Sequence, residues 1–201
     1  MPRIHVAKRT IVLKLVYYGP GLSGKTTNLR ALHASVDEKR RGRLIQLDTD
    51  TERTLFFDYF PLALGEVGGF RIVVEISSVP GQAFYNETRF ALLEDVDGIV
   101  FVADSGSNRE EANLVSLRNL QQNLEKHGRK MEEVPLVFQW NKRDLPRTTS
   151  LKLMERQLNP GGAPSFEAVA SDGTGVKECH AAIVRLMMAQ LRSRPELGAS
   201  A

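Results

Sequence analysis

The chain has one cysteine, one tryptophan and no apolar run long enough to cross a bilayer. A single thiol closes no internal disulfide, so the expected setting is a reducing cytoplasm and the fold must rest on its core. Cys179 lies in an apolar-periodic segment and reads as a packing residue. Aromatic residues make up only 7% of the chain and none alternates with basic residues, which argues against a nucleic-acid surface. Nothing resembles a signal peptide. Pro2 is incompatible with N-terminal myristoylation, and Leu197 to Ala201 offers no prenylation cysteine, so no direct membrane anchor is expected. Any membrane contact would have to come through a partner.

What remains is ordinary globular material. Hydrophobic residues are 42% and charged residues 25% of 201, enough for one domain spanning 1–201 with a core from about 11 to 191. The net charge of +3 is concentrated in the first fourteen residues and in Lys39-Arg40-Arg41-Gly42-Arg43, which reads as a solvated loop between helix and strand.

Short apolar runs alternate with helical stretches. Strands are expected at Ile11–Tyr18, Leu44–Leu47, Phe70–Ile76, Gly98–Ala103, Leu136–Trp140 and Phe166–Ala170. Ser107-Asn108-Arg109-Glu110 has the spacing of a capping box ahead of Leu114, Leu117, Leu120 and Leu124, with Gly128 as the stop. A last helix is expected from about Val176 to Leu191, with Ile183, Val184, Leu186 and Met187 inward. The order implies an α/β fold in three layers, a mostly parallel sheet of about six strands with helices on both faces. Ligands of such sheets bind beyond the carboxyl ends of the strands. Ala163-Pro164 and the tail after Arg194 are the expected mobile connections.

Directly after the first strand comes Gly19-Pro20-Gly21-Leu22-Ser23-Gly24-Lys25-Thr26-Thr27, the phosphate-loop pattern G-x-x-x-x-G-K-[ST]. Backbone N–H groups of such a loop converge on a phosphate at the start of the next helix. Lys25 is expected to reach the β- and γ-phosphates and Thr26 to ligate Mg²⁺. Asn141-Lys142-Arg143-Asp144 ends a strand farther on. The Asp144 carboxylate can accept from N1–H and the exocyclic amine of guanine, a pair adenine lacks. Asn141 can tether the phosphate loop, and the Lys142 stem can cover the base. Such polar matching rejects the wrong base on the order of 10⁴-fold. The Ala170 N–H is the candidate donor to the guanine oxygen.

Between these two ends lie Asp50 to Asp58 and Ser78-Val79-Pro80-Gly81-Gln82. Gly81 is placed to bond a γ-phosphate through its N–H, and Gln82 to orient the attacking water. Thr54 could close over Mg²⁺, with Thr49 and Thr51 as rivals. Arg53 is a candidate cationic finger acting in cis, a role worth roughly 10³ to 10⁵ in rate, or about 4 to 7 kcal/mol of barrier.

The phosphate loop, Glu52 to Asp58, the Val79-Pro80-Gly81-Gln82 turn, Gly98 to Ser105 and Asn141 to Asp144 together resemble the MglA family of bacterial Ras-like GTPases. The likeness runs from about Ile11 to Leu191. It implies the P-loop NTPase (small GTPase) fold, a switch between GDP and GTP forms with Mg²⁺, and a role in bacterial motility and cell polarity. It also implies a roadblock-type homodimeric activator of the MglB kind, with Arg53 and Gln82 serving hydrolysis. One departure from GTPases in general is Ser78, where they carry an aspartate that holds Mg²⁺ through water; members of this family place a hydroxyl there. Asp58 is a conceivable substitute. The alternative is a scaffold that binds GTP or GDP and hydrolyses little.

Overall fold

A computed structural model describes residues 2–47, 57–81 and 85–193. Eight strands form one sheet: β1 (Arg3–His5), β2 (Thr10–Tyr18), β3 (Ile45–Leu47), β4 (Phe57–Val67), β5 (Phe70–Ser78), β6 (Gly98–Asp104), β7 (Leu136–Asn141) and β8 (Ser165–Ala168). Their spatial order is β3-β4-β5-β2-β6-β7-β8, with β1 paired antiparallel to the start of β2. From β5 to β8 the sheet is parallel; β3 and β4 are antiparallel to their neighbours. The helices are α1 (Lys25–Ser35), α2 (Asn86–Leu93), α3 (Glu110–Lys126), α4 (Leu151–Leu158) and α5 (Val176–Arg192). This is the three-layer α/β architecture expected from the order of elements, with helices on both faces of the sheet. None of these helices is long and apolar enough to cross a membrane.

The alternation of side chains along β2 divides the core. Leu13, Leu15 and Tyr17 join Leu29 and Leu32 of α1 and Cys179, Ile183 and Met187 of α5 on one face. Val16 and Tyr18 join Leu93, Leu120, Leu124 and Met154 from α2, α3 and α4 on the other. Every residue of the central strand β6 is buried, as expected of a parallel strand covered on both faces. Cys179 is fully buried, and burial pushes its thiol well up, so packing is its role.

Two strands exceed the expected six. In β4, Pro61 and Gly65 mask a strand in the sequence. A strand residue's N and C=O point to the same side, and the Pro61 carbonyl accepts from Gly42 N at 2.8 Å. The N–H that proline lacks would therefore face the segment around Gly42, leaving the β5 ladder intact. The same pairing refines the reading of the basic run: Arg41 bridges Leu62, and the Arg40 carbonyl accepts from Ala63 N at 2.7 Å. Lys39–Arg43 is a loop between α1 and β3 with Lys39, Arg40 and Arg43 exposed, as expected, and its Arg40–Gly42 part lies along β4. The strand expected to extend through Ala170 ends at Ala168.

Two local readings are overturned. The N-cap of α3 is Arg109, without a side-chain capping bond, because Glu110 accepts from the Thr149 hydroxyl at 3.2 Å. Ala163 is no mobile hinge: the Asn159 side chain bonds both its N–H and its carbonyl at 2.8 Å, mimicking a backbone turn. Gly128 does end α3, with φ +69° and its N–H donated to Glu125 O. In α5, Ile183 and Met187 are buried, whereas Val184 and Leu186 are only half-buried. The tail after Arg194 lies outside the described residues.

His180 on α5 is 8% exposed, and neither ring nitrogen has a hydrogen-bond partner among the described residues. Desolvation lowers its pKa from 6.5 to about 4. Between those values the unfolded chain binds a proton that the folded one refuses. Stability from this group is therefore complete above pH 6.5 and lost as pH falls toward 4, by about 3 kcal/mol in all. A His180→Gln variant should show a flatter fall of melting temperature across that window; an unchanged slope would assign the acid sensitivity elsewhere.

Candidate nucleotide site

Every motif of the site lies beyond a strand's carboxyl end: the phosphate loop after β2, Ser78 at the end of β5, Asn141 at the end of β7, and Ala170 just past β8. The loop turns sharply because Gly19 and Gly24 adopt φ +145° and +96°. A Cβ on Gly19 would sit 2.2 Å from Val102 O, and one on Gly24 2.3 Å from Asn141 Nδ2. Leu22 also has positive φ, at +66°, with its side chain 84% exposed. Ser23 is fully buried and Thr27 exposed.

Lys25 opens α1 and is 6% exposed. Its Nζ donates to Gly19 O at 3.0 Å and Pro20 O at 2.7 Å, so the ammonium is folded into the loop. Burial lowers its pKa to about 7, the charges of Arg89 and Arg109 add to this, and Asp58 opposes it. Phosphate oxygens are the natural counterpart of a cation held this way. A cleft of about 750 Å³ opens over Lys25, Thr26, Asp58, Ser78 and Gly81.

The oxygen donors of that cleft suit Mg²⁺. Asp58, the second residue of β4, accepts from Thr26 Oγ1 at 2.6 Å and from Ser78 Oγ at 2.7 Å through one carboxylate oxygen. Its other oxygen accepts from Gln46 Nε2 at 2.8 Å. A carboxylate therefore stands beside the hydroxyl at position 78. No cluster of three His, Cys, Asp or Glu that could hold a metal exists among the described residues.

The residues expected to face guanine flank the same loop. Asn141 is 2% exposed; its Nδ2 donates to Ser23 O at 2.7 Å and its Oδ1 accepts from Ala170 N at 2.9 Å. One side chain thus ties the phosphate loop to the segment after β8. It also engages the amide expected to meet the base, so the Ala170 N–H would have to be shared or exchanged. Lys142, with φ +65°, reaches Asp104 Oδ2 at 2.8 Å, which fixes its stem across the strand ends. Asp144 is exposed and makes no hydrogen bond or ion pair among the described residues, leaving both carboxylate oxygens for a ligand.

Three residues were given no site role in the sequence analysis. Asp104, 3% exposed, also lies 3.3 Å from Arg109 Nε, and Arg109 donates to the Gly21 carbonyl. Arg109 so links base side to phosphate side, where spacing suggested only a capping segment. Arg89, on α2, donates to the Pro80 and Gly81 carbonyls. Guanidinium contacts to backbone carbonyls leave no spacing pattern. Gly81 itself packs on Gly21: a Cβ on it would meet Gly21 Cα at 2.6 Å. Arg53, Gln82, Thr54, Thr49 and Thr51 lie outside the described residues.

No protein-family model matches the chain. It is similar to the mutual gliding-motility protein MglA of Myxococcus xanthus (strain DK1622), with 45% identity over 192 residues, covering 96% of this chain and 98% of that protein.

Proposed function

The chain belongs to the MglA family of Ras-like small GTPases, and on that premise we propose that it is a GDP/GTP switch. It hydrolyses GTP slowly, and a roadblock-type homodimer of the MglB kind accelerates it. The process served is bacterial motility and polarity, with the protein cytoplasmic and drawn to a pole by partners. The observation that carries this reading is the Asn141 side chain, which joins Ser23 of the phosphate loop to Ala170 of the base side. One ligand with phosphates at one end and a guanine at the other fits that connection.

In this reading Lys25 leaves the Gly19 and Pro20 carbonyls for the β- and γ-phosphates as nucleotide enters. The N–H groups of Gly21 through Thr27 surround the phosphate chain. Thr26 and Thr54 would hold Mg²⁺ through their hydroxyls, and Ser78 and Asp58 through water. The ion, when bound, neutralises charge on the phosphate oxygens. The Gly81 N–H bonds the γ-phosphate, Gln82 orients the attacking water, and Arg53 stabilises the charge that spreads during transfer. On the other side Asp144 accepts from the guanine edge while the Lys142 stem packs on its face.

The pairing of Ser78 with Asp58 supports hydrolysis over the scaffold alternative, since it restores a negative group beside the neutral hydroxyl. Asp58→Asn should therefore raise the Mg²⁺ concentration that half-maximally slows GDP release by about tenfold, because the metal's waters lose a charge-assisted acceptor. An unchanged Mg²⁺ dependence would remove Asp58 from the metal's surroundings. The function itself is tested by phosphate release in single turnover, with and without the roadblock partner. Slow release, accelerated at least tenfold by the partner, is expected. GTP binding without release under either condition would leave only the scaffold.

A further inference from the structure

We propose that Arg89 is a positioning residue for GTP hydrolysis, holding the two peptide planes that flank Gly81. The inference rests on the GTPase reading and adds a residue to its machinery. The Arg89 Nε donates to Pro80 O at 3.0 Å and its Nη2 to Gly81 O at 2.9 Å, while its Nη1 donates to Asn119 Oδ1 at 3.0 Å. The residue is 5% exposed, and its guanidinium lies 5.9 Å from the centre of the Tyr18 ring. A planar fork held on three sides has little freedom left.

The two carbonyls matter because of what shares their planes. In a trans peptide the C=O and the following N–H point in opposite directions. Fixing Pro80 O against the guanidinium thus aims the Gly81 N–H away from Arg89, on the far side of the turn. That N–H is the group assigned to the γ-phosphate. Fixing Gly81 O as well holds Gly81 from its carbonyl side, so the residue that carries this N–H is gripped at both ends. The role assigned to Arg89 is exerted through Gly81 and not on nucleotide or water.

The anchor reaches into the neighbouring helix of the same layer. Asn119 of α3 accepts from both Arg89 and the Tyr18 hydroxyl, the latter at 2.6 Å, and donates to Asn86 Oδ1 at 2.7 Å. The hydrolytic turn is therefore referenced to α3 and the end of β2, elements that do not depend on the nucleotide for their packing. A displacement near 1 Å of a reacting group can cost on the order of 10²-fold, which sets the scale of the effect.

The test compares Arg89→Ala and Arg89→Lys with the wild type in single-turnover GTP hydrolysis, GDP affinity and hydrogen–deuterium exchange of the peptide covering 79–81. Arg89→Ala should lower hydrolysis by roughly 10- to 100-fold, with GDP affinity within about threefold of wild type, since Lys25, Asn141 and Asp144 do not contact it. Arg89→Lys keeps the buried charge and the fold but not the fork. It should stay within about threefold of the alanine variant in hydrolysis. Both should exchange faster at 79–81. Hydrolysis within twofold of wild type in both variants overturns the proposal, as does parallel loss of hydrolysis and GDP binding, which marks a merely structural arginine. Should the wild type itself release no phosphate, the GTPase reading fails; unchanged exchange at 79–81 in Arg89→Lys would then overturn the positioning role as well.

Discussion

Lys25→Ala is expected to weaken binding of both GDP and GTP by about 10³-fold, a loss near 4 kcal/mol. The size follows from where the ammonium sits. Lys25 is 6% exposed and, among the described residues, donates to the Gly19 and Pro20 carbonyls alone. Burial holds its proton loosely, with a pKa of about 7. A polyphosphate exchanges two neutral acceptors for charged ones in a place already stripped of water, where each charge-assisted bond is stronger than at the surface. Removing the amine leaves the phosphate oxygens buried without that partner, and the cost of an uncompensated buried charge is large. Fluorescent GDP titration measures the loss. Circular dichroism checks that α1 persists, which it should, because Leu29 and Leu32 rather than Lys25 hold the helix to the sheet. Affinity within tenfold of wild type would mean that the loop does not use this lysine on phosphate.

Asp144→Asn is expected to exchange guanine for xanthine, with a swing in relative affinity of about 10³-fold. The Asp144 carboxylate has no competing bond or ion pair among the described residues, and the residue is exposed beside the buried Asn141. Guanine offers two donors on one edge, which two carboxylate oxygens accept. An amide presents one acceptor and one donor, which matches the N1–H and C2 carbonyl of xanthine and leaves the guanine amine facing another donor. Competition between GDP and XDP for the variant reads the swing directly. An unaltered base preference would place guanine recognition elsewhere, and Asn141 would then serve only as the tie between Ser23 and Ala170.

How far the sequence could be read differs by residue, for identifiable reasons. The place of Gly19 to Thr26 between β2 and α1 was legible because the loop pattern needs a strand on one side and a helix on the other, and that of Asn141 to Asp144 at the end of β7 because an apolar run leads into it. The interior of α5 was legible in part: Ile183 and Met187 are buried as expected, Val184 and Leu186 only half so. β4 was not, since Pro61 and Gly65 interrupt the pattern where only the Arg40–Gly42 segment and a bulge between Ala63 and Gly65 lie alongside. Ser107 to Glu110 showed a capping pattern, but Glu110 is drawn to Thr149, a partner 39 residues away. Arg89 and Arg109 were invisible for a more general reason: they act on carbonyls of Pro80, Gly81 and Gly21, and backbone acceptors are the same in every residue. Asp58 was weighed beside Ser78 for its charge alone; only the register of β4 against β5, with Tyr59 opposite Ser77, puts its carboxylate at the Ser78 hydroxyl.

The central claim is a single pocket that takes phosphate through Lys25 and guanine through Asp144. Calorimetric titration of the wild-type protein with GDP and, separately, with ADP, both with Mg²⁺, tests it most directly. The account predicts saturable one-to-one binding of GDP and at least about 10³-fold weaker binding of ADP. Equal affinity for the two nucleotides, or no heat with either from protein shown to be nucleotide-free, would contradict it.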